Sequence, residues 1–305
     1  MTVGPANFWK IRARVQSEGD AHVMEDSCGL AGPAVWVIDG ATSLLAPLGL
    51  PGASDPSWLA QALSVALAEV VAESQSPAAA SEPGVRALLA AALQKVDDGG
   101  RRFVGEERVR FPSAAVSVAR LYDGAVEVLS LADCHVAVRL AGGGVEHVIS
   151  GPADSRIHGD RTAPGPDPAG LRALRIEDRE RRNTAGGLWV ARREPAAAQH
   201  AHVVRFLRPE LMAMASDGAW RAVDLGLVAD AADFLESVST PVGALELMHR
   251  LRAHQRAIRE VADDATVLVV EPADPGPGRR AGTTVPQITH AERGFRALSA
   301  GQLFS

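Results

Sequence analysis

Acidic residues at the ends of short apolar runs constrain the fold of this 305-residue chain more than any other feature. Short apolar runs are typical of buried β-strands, and the ends of strands bring residues that are distant in sequence together. The pattern therefore predicts sheets with several carboxylates near strand ends. The acidic residues are Glu25 and Asp26 in VMEDS, Asp39 in VWVIDGATS, Asp217 in LMAMASDGAW, and Asp263 with Asp264 in VADDATVLVV.

The remaining periodicity indicates an α+β fold. We expect one domain over residues 1–270, an irregular excursion within it over 150–187 that is rich in Gly, Pro, Arg and Asp, and a disordered tail over 271–305. The predicted strands are 8–16, 34–38, 266–270 and three that follow Ser113 as an antiparallel meander. The predicted helices are one capped at Asp55, one after Pro83 with Leu88, Leu89 and Leu93 facing the core, and one from Thr240.

Composition and charge argue against several classes of protein. The net charge of -6 and the pI near 5.9 do not suit a nucleic-acid-binding protein. No apolar stretch reaches the roughly 18 to 20 residues of a membrane span, and the N-terminus lacks the pattern of an export signal. We therefore expect a cytoplasmic monomer that binds no membrane. Cys28 and Cys134 are too few for a disulfide framework and stand beside apolar residues, which favours buried thiols.

Clustered carboxylates favour a site for hard divalent cations. Mg²⁺ and Mn²⁺ prefer oxygen ligands, and a pair of such ions needs several carboxylates. A glycine directly follows both Asp39 and Asp217, and its missing side chain would let backbone carbonyls and solvent approach the ions closely. A single Asp-Gly pair is more often a simple turn, so the prediction depends on the combination.

Five motifs in a fixed order resemble those of the metal-dependent serine/threonine phosphatases of type 2C, and the bacterial members in particular. The resemblance implies an αββα sandwich, in which two antiparallel sheets lie face to face with a helix pair on each outer side. It also implies a phosphatase in which two divalent cations, Mn²⁺ or Mg²⁺, activate a bridging water for attack on phosphorus. The motifs are MEDS at 24–27, VIDGAT at 37–42, LADCHVAV at 131–138, ASDGAW at 215–220 and DDATVLVV at 263–270.

The resemblance also implies roles for individual residues. Asp39 would bridge both cations, and Asp26 would help to orient the nucleophilic water. Cys134 and His135 replace the family's usual Ser-Arg after Asp133. The other implied ligands are the Gly40 carbonyl, Asp217 and Asp263 for one ion each, Glu25 through bound water, and Asp133 together with Asp217 at a third, weaker metal site.

Two positions depart from the family pattern. Ala41 stands where eukaryotic members carry the histidine that protonates the leaving group, and Ala21 stands where the family has its phosphate-binding arginine. Arg14 and His22 are the candidate substitutes for that arginine, although a solvated side chain is the commoner role for each.

The leading hypothesis is a phosphatase for phosphoserine or phosphothreonine on proteins. The alternatives are a phosphatase for a small phosphorylated metabolite, which the missing arginine favours, and a pseudophosphatase that serves as an interaction module. The excursion over 150–187 lies where the family inserts a variable flap that selects substrates. Its run from Arg175 to Asn183 could recognise a phosphorylated partner, but dense mixed charge is usually a solvated face. His200 and His202 could bind a metal, although packing or exposure is commoner.

Overall fold

The computed structural model of the protein describes residues 8–75, 83–150 and 168–273. Across these ranges, each helix is too short or too polar to span a bilayer. The strands are β1 Phe8–Ser17, β2 Ser27–Ala31, β3 Ala34–Ala41, β4 Ser113–Tyr122, β5 Ala125–Leu131, β6 His135–Leu140, β7 Val145–Val148, β8 His202–Leu207, β9 Pro209–Ala215 and β10 Ala265–Ala273. The helices are α1 Asp55–Ser74, α2 Val85–Val104, α3 Pro168–Arg181, α4 Asp217–Asp224, α5 Ala231–Val238, α6 Pro241–Ile258 and a 3-10 helix at Pro195–His200.

Two five-stranded antiparallel sheets form the centre of the molecule. The first sheet has the strand order β1-β10-β9-β6-β7, and the second has the order β2-β3-β4-β5-β8. Strands β4 and β5 pair as the sequence predicted, but β6 leaves the expected meander and pairs with β9 in the other sheet. The chain changes sheets between Leu131 and His135, where Ala132 adopts a φ of 68°. Asp133 lies on this crossing segment.

Helices cover the outer face of each sheet, so the expected αββα sandwich is confirmed. Helices α1 and α2 share a buried cluster with Trp36 and Ile38 of the second sheet. Leu88, Leu89 and Leu93 of α2 are fully buried there, as predicted. Three helices, α4 to α6, cover the first sheet in place of the expected pair.

A third buried cluster fills the space between the sheets. Val35 and Val37 of β3 face Met212 of β9 across this layer. Cys28 and Cys134 belong to the same cluster and are free, buried thiols, as the sequence predicted. The core therefore holds the two sheets together directly beneath the strand ends that carry the carboxylates.

The start of α1 differs from the prediction by one residue. Ser54 is the N-cap, and its Oγ accepts the backbone N–H of Ser57 at 3.2 Å. Asp55, the predicted cap, accepts the N–H groups of Leu48 and Leu50 at 2.5 and 2.9 Å. Its carboxylate therefore holds the loop between β3 and α1 in place.

The excursion expected over 150–187 is not irregular throughout. Residues 151–167 lie outside the described part of the chain, but Pro168–Arg181 form helix α3. Ion pairs at helical spacing stabilise it, with Glu177 and Arg181 3.6 Å apart and Asp178 and Arg182 2.8 Å apart. The expectation was wrong here because it relied on apolar periodicity, which this helix does not need.

Strand β10 extends beyond the predicted domain boundary at residue 270. It runs to Ala273 and pairs with β1 from Ser17 opposite Ala265 to Phe8 opposite Ala273. The first three residues of the predicted tail therefore belong to a sheet. The rest of that tail, 274–305, lies outside the described residues.

Candidate metal centre

Asp39 and Asp217 meet where the two sheets come together. Asp39 lies near the end of β3 in the second sheet, and Asp217 begins α4 directly after β9 of the first sheet. The backbone N–H of Asp217 donates to Asp39 Oδ2 at 3.2 Å. A helix N-terminus favours a nearby negative charge, so the fold brings together two residues that are 178 positions apart in sequence.

Mutual repulsion among carboxylates marks this region. Burial raises the pKa of Asp39 well above its ordinary value, and the charges of Asp217, Asp26, Asp133 and Asp263 raise it further. The pKa of Asp217 rises to about 7 through burial and then through the charges of Asp133 and Asp263. The surrounding protein removes much of the water around the two carboxylates, which raises their pKa values. Asp39 and Asp217 nevertheless keep contact with solvent, so a cation can still reach them. These five aspartates are termed the acidic cluster.

Asp26 is the most enclosed member of the acidic cluster. The residue is 6% exposed, and its Oδ2 atom is buried without a hydrogen-bond partner. Burial raises the pKa of Asp26 to about 7, while hydrogen bonds with the hydroxyls of Thr266 and Ser216 oppose that rise. A buried oxygen without a donor is costly, so this atom is suited to accept a hydrogen bond from a bound water.

Asp263 and Asp264 have different environments although they are neighbours in sequence. Asp264 is 3% exposed and accepts the backbone N–H groups of Gly19 and Glu25 at 2.7 and 2.6 Å. The side chain of Asp263 is 59% exposed and faces His22, with 3.2 Å between His22 Nε2 and Asp263 Oδ1. Asp264 therefore holds the loop between β1 and β2, and Asp263 is the one available to a cation.

The carboxylate of Glu25 is held by two hydroxyl groups. Ser54 Oγ donates to its Oε1 at 2.6 Å, and Thr42 Oγ1 donates to its Oε2 at 2.9 Å. Both hydroxyls leave lone pairs on the carboxylate free, which is compatible with the implied contact to a cation through water. Glu25 also ties the loop after β3 to the start of α1.

The glycines after Asp39 and Asp217 are required by close backbone contacts. A Cβ on Gly40 would collide with the carbonyl oxygen of Glu25, and a Cβ on Gly218 would collide with the carbonyl oxygen of Asp264. A larger residue at either position would push apart the loops that carry the acidic cluster. The sequence analysis expected these glycines to let ligands approach the ions, and the structure adds a second reason for them, which is the close approach of neighbouring backbone.

His135, two residues after Asp133, belongs to a stack of aromatic rings. His135 Nδ1 and His147 Nε2 are hydrogen bonded at 3.0 Å, and both imidazoles stack on Trp220 with centroids 4.2 and 4.5 Å away. Burial and then the neighbouring His147 lower the pKa of His135 to about 3. The Cys134-His135 pair that follows Asp133 is therefore uncharged at neutral pH and packs into the fold.

Arg14 and His22, the candidate phosphate ligands, lie in different environments. Arg14 is an exposed residue of β1, and its guanidinium donates to a glutamine on the same strand at 2.8 Å. His22 contacts the acidic cluster through Asp263 and is 3.7 Å from a carboxylate oxygen of Glu25. Burial alone lowers the pKa of His22, but the Val23 carbonyl and three nearby carboxylates raise it overall. The carboxylates around His22 therefore favour its protonated form.

Arg179 is the residue near the site that the sequence analysis assigned wrongly, as part of a solvated face. It is 7% exposed, and its Nη2 donates to the carbonyl of Thr42 and, at 3.5 Å, to that of Ala41. Arg172 on the same helix donates to the carbonyl of Leu44 at 3.0 Å. Helix α3 therefore lies against the loop that follows β3. A dense run of arginines was visible in the sequence, but charge density alone does not show which side chain is buried.

The two histidines considered as a metal pair occupy separate elements. His200 ends the 3-10 helix and stacks on Trp189, with 3.4 Å between ring centroids. His202 begins β8 and is exposed. Packing on Trp189 therefore accounts for His200. Trp189 itself is half-buried, whereas Trp36 is buried in the core.

The acidic cluster fits hard divalent cations. All its donors are carboxylates, one buried oxygen of Asp26 lacks a partner, and bound cations would relieve the repulsion that raises the pKa of Asp39. Among the residues that the structure describes, no three His, Cys, Asp or Glu side chains converge as a ligand set for one ion. This is compatible with the implied coordination, in which each ion takes the shared Asp39 and only one other aspartate.

Comparison with known proteins identifies the fold. No protein-family model matches the chain, and neither does any curated protein sequence.

Among solved structures, PppA of Pseudomonas aeruginosa, a key regulatory component of T6SS, is 16% identical, with 88% of this chain and 99% of that chain covered and a TM-score of 0.53. The serine-threonine phosphatase 2C from Toxoplasma gondii is 15% identical, with 88% and 98% covered and a TM-score of 0.53. The serine/threonine phosphatase Stp1 from Staphylococcus aureus is 11% identical, with 89% and 97% covered and a TM-score of 0.51. The two-sheet sandwich of this chain is therefore the fold of the type 2C serine/threonine phosphatases.

Proposed function

We propose that this protein is a metal-dependent phosphatase that hydrolyses phosphate monoesters, with phosphoserine or phosphothreonine on proteins as its substrates. The acidic cluster is the observation that carries the proposal. Separate segments of the chain bring five aspartates close enough for the charges of Asp26, Asp133 and Asp263 to raise the pKa values of Asp39 and Asp217. Such a cluster is unfavourable without a bound cation, and a chain that had no use for metal would gain stability by losing it.

The residues of the acidic cluster divide the work of holding two ions. Asp39 would be the shared ligand, with the Gly40 carbonyl as a further one, while Asp217 and Asp263 would each hold one ion. When bound, the cations supply Lewis-acid activation of water and neutralise charge on the phosphoryl group. The remaining ligands in the proposal are Glu25 through water and Asp133 at a third, weaker site.

Asp26 is assigned the orientation of the attacking water. Its buried Oδ2 has no hydrogen-bond partner, and burial raises the pKa of this carboxyl group, which makes it a stronger proton acceptor. The hydroxyls of Ser216 and Thr266 fix the carboxylate in position. Asp26 would therefore hold the water and take up its proton at Oδ2.

An assay on a generic aryl phosphate such as 4-nitrophenyl phosphate tests the proposal. We expect turnover with added Mn²⁺, loss of turnover with chelator, and less than a few per cent of wild-type activity in Asp39→Asn. Turnover that persists in chelator would refute the metal mechanism. A folded protein that binds Mn²⁺ but hydrolyses nothing would be an interaction module instead.

Substrate class is tested separately from chemistry. A phosphothreonine peptide and a small phosphorylated sugar are compared by kcat/KM under the same Mn²⁺ concentration. Preference for the peptide supports the protein phosphatase assignment. A preference for the sugar would move the assignment to a phosphatase of small metabolites.

A further inference from the structure

Helix α3 brings one arginine to the edge of the candidate metal centre. The guanidinium of Arg179 donates to the carbonyls of Ala41 and Thr42, on the loop that continues directly from Asp39. The hydroxyl of Thr42 in turn donates to Glu25. A short chain of contacts therefore joins Arg179 to Glu25, the sequence neighbour of Asp26 in the acidic cluster.

The arginines around Arg179 have carboxylate partners. Arg108 and Arg192 share Glu194, at 3.0 and 2.7 Å. Arg182 pairs with its helix neighbour Asp178 at 2.8 Å and donates to the Ser113 hydroxyl at 2.6 Å. Each of these three guanidinium groups therefore has a carboxylate at ion-pair distance within the described part of the fold.

Arg179 differs from these neighbours. Within the described ranges no carboxylate forms an ion pair with it, and its buried Nε has no hydrogen-bond partner. Burial and then the charge of Arg182 lower the pKa of Arg179 to about 10, which leaves the guanidinium charged at neutral pH. The charges of Asp178 and Glu25 favour the guanidinium from a distance, but a buried charge without a direct ion-pair partner is unfavourable, so an anion at this position would stabilise the site.

We propose that Arg179 binds the phosphoryl oxygens of the substrate, in the role that Ala21 cannot fill. The proposal rests on the phosphatase function proposed above and names the cationic group that function lacks. A guanidinium offers planar, paired N–H donors that match two oxygens of a phosphate. Its position on α3 puts this candidate phosphate ligand against the loop that follows Asp39.

Phosphate binding by the Mn²⁺-loaded full chain tests this assignment directly. Inorganic phosphate is titrated by calorimetry into wild type, Arg179→Gln and Arg179→Lys, and its inhibition constant is measured with 4-nitrophenyl phosphate. We expect Arg179→Gln to weaken phosphate binding by roughly tenfold to a hundredfold, and Arg179→Lys to recover part of the loss. The Kd for Mn²⁺ should stay within about twofold, because no metal ligand changes.

Arg181→Gln is the matched control, because Arg181 lies on the same helix, is exposed and pairs with Glu177 at 3.6 Å. It should bind phosphate as wild type does. Unchanged phosphate affinity in Arg179→Gln, or no phosphate binding by wild type, would overturn the assignment. A parallel loss of Mn²⁺ affinity and of thermal stability in both Arg179 variants would also overturn it, since Arg179 would then only position the loop.

The two proposals fail in distinguishable ways. If wild type binds phosphate through Arg179 but never hydrolyses an ester, the anion site stands and the phosphatase function fails. If wild type hydrolyses the aryl phosphate and Arg179→Gln keeps its phosphate affinity, the function stands and only the role of Arg179 fails.

Discussion

Two neighbouring aspartates before β10 allow metal binding and stability to be separated by mutation. Asp264 is buried and accepts two backbone N–H groups of the loop between β1 and β2, whereas the Asp263 side chain is 59% exposed. We therefore expect Asp264→Asn to weaken the fold and Asp263→Asn to weaken the binding of Mn²⁺. Each substitution keeps the shape of the side chain and removes one charge.

The expected size of each effect follows from the hydrogen bonds. An asparagine at 264 accepts from only one of the two N–H groups, because its amide nitrogen turns a donor toward the other. A hydrogen bond to a charged group contributes about 1.5 to 3 kcal/mol, and 1 kcal/mol shifts Tm by about 2 to 4 °C in a domain of this size. Asp264→Asn should therefore melt roughly 3 to 12 °C below wild type. Asp263→Asn should stay within about 2 °C, as exposed substitutions do.

Scanning calorimetry of the metal-free proteins and titration with Mn²⁺ provide the measurements. Asp263→Asn should bind Mn²⁺ about tenfold or more weakly, while any loss in Asp264→Asn should be smaller. The opposite pattern, with metal affinity lost at 264 and stability lost at 263, would refute the reasoning. That result would make Asp264, and not Asp263, the metal ligand in the last motif.

Three further perturbations have defined outcomes. Asp39→Asn should raise the Tm of the metal-free protein, because it removes the charge that burial and neighbouring carboxylates disfavour; it should also abolish the rise in Tm that Mn²⁺ gives wild type. Gly40→Ala should lower Tm and Mn²⁺ affinity together, since its Cβ would collide with the Glu25 carbonyl; wild-type values for both would show that the loop can adjust. Burial would raise the pKa of Glu194, but the Arg192 guanidinium lowers it below the ordinary value of 4.5. Glu194 therefore stabilises the fold above pH 4.5 and loses that contribution as pH falls through its lowered pKa. Urea unfolding should show Glu194→Gln less stable at pH 7, with the difference shrinking in acid.

The sequence predicted the strands and helices better than it predicted which strands pair with one another. The spacing of apolar residues predicted β3 and the buried helix face of Leu88, Leu89 and Leu93. Burial of one face makes apolar residues recur at the period of the strand or helix, and this recurrence is visible in a single sequence. The same spacing could not show that β6 leaves β5 for the other sheet. Strand alternation records which face is buried, and says nothing about which strand lies alongside.

The carboxylate part of the candidate site was predictable from the sequence, because it consists of one residue type, aspartate. Four aspartates of the acidic cluster were predicted from their places at strand ends and Asp133 from the family resemblance, and in the structure the charges of the other four raise the pKa of Asp39. Arg179 was not distinguishable from Arg181, because both stand in one charged run. Only the packing of α3 against the Ala41 carbonyl and its neighbours decides which of the two is buried.

The pairing of β1 with β10 sets the order in which protein synthesis can deliver a working site. Glu25 leaves the ribosome before Asp264, the residue whose carboxylate fixes its backbone and which comes 239 residues later. At translation rates of about 5 to 20 residues per second, β1 waits roughly 10 to 50 s for its partner strand. During that interval its edge is open to other nascent chains. Lys10, Arg12 and Arg14 project from this strand, and their like charges oppose the pairing of two copies while each waits for its own C-terminal strand.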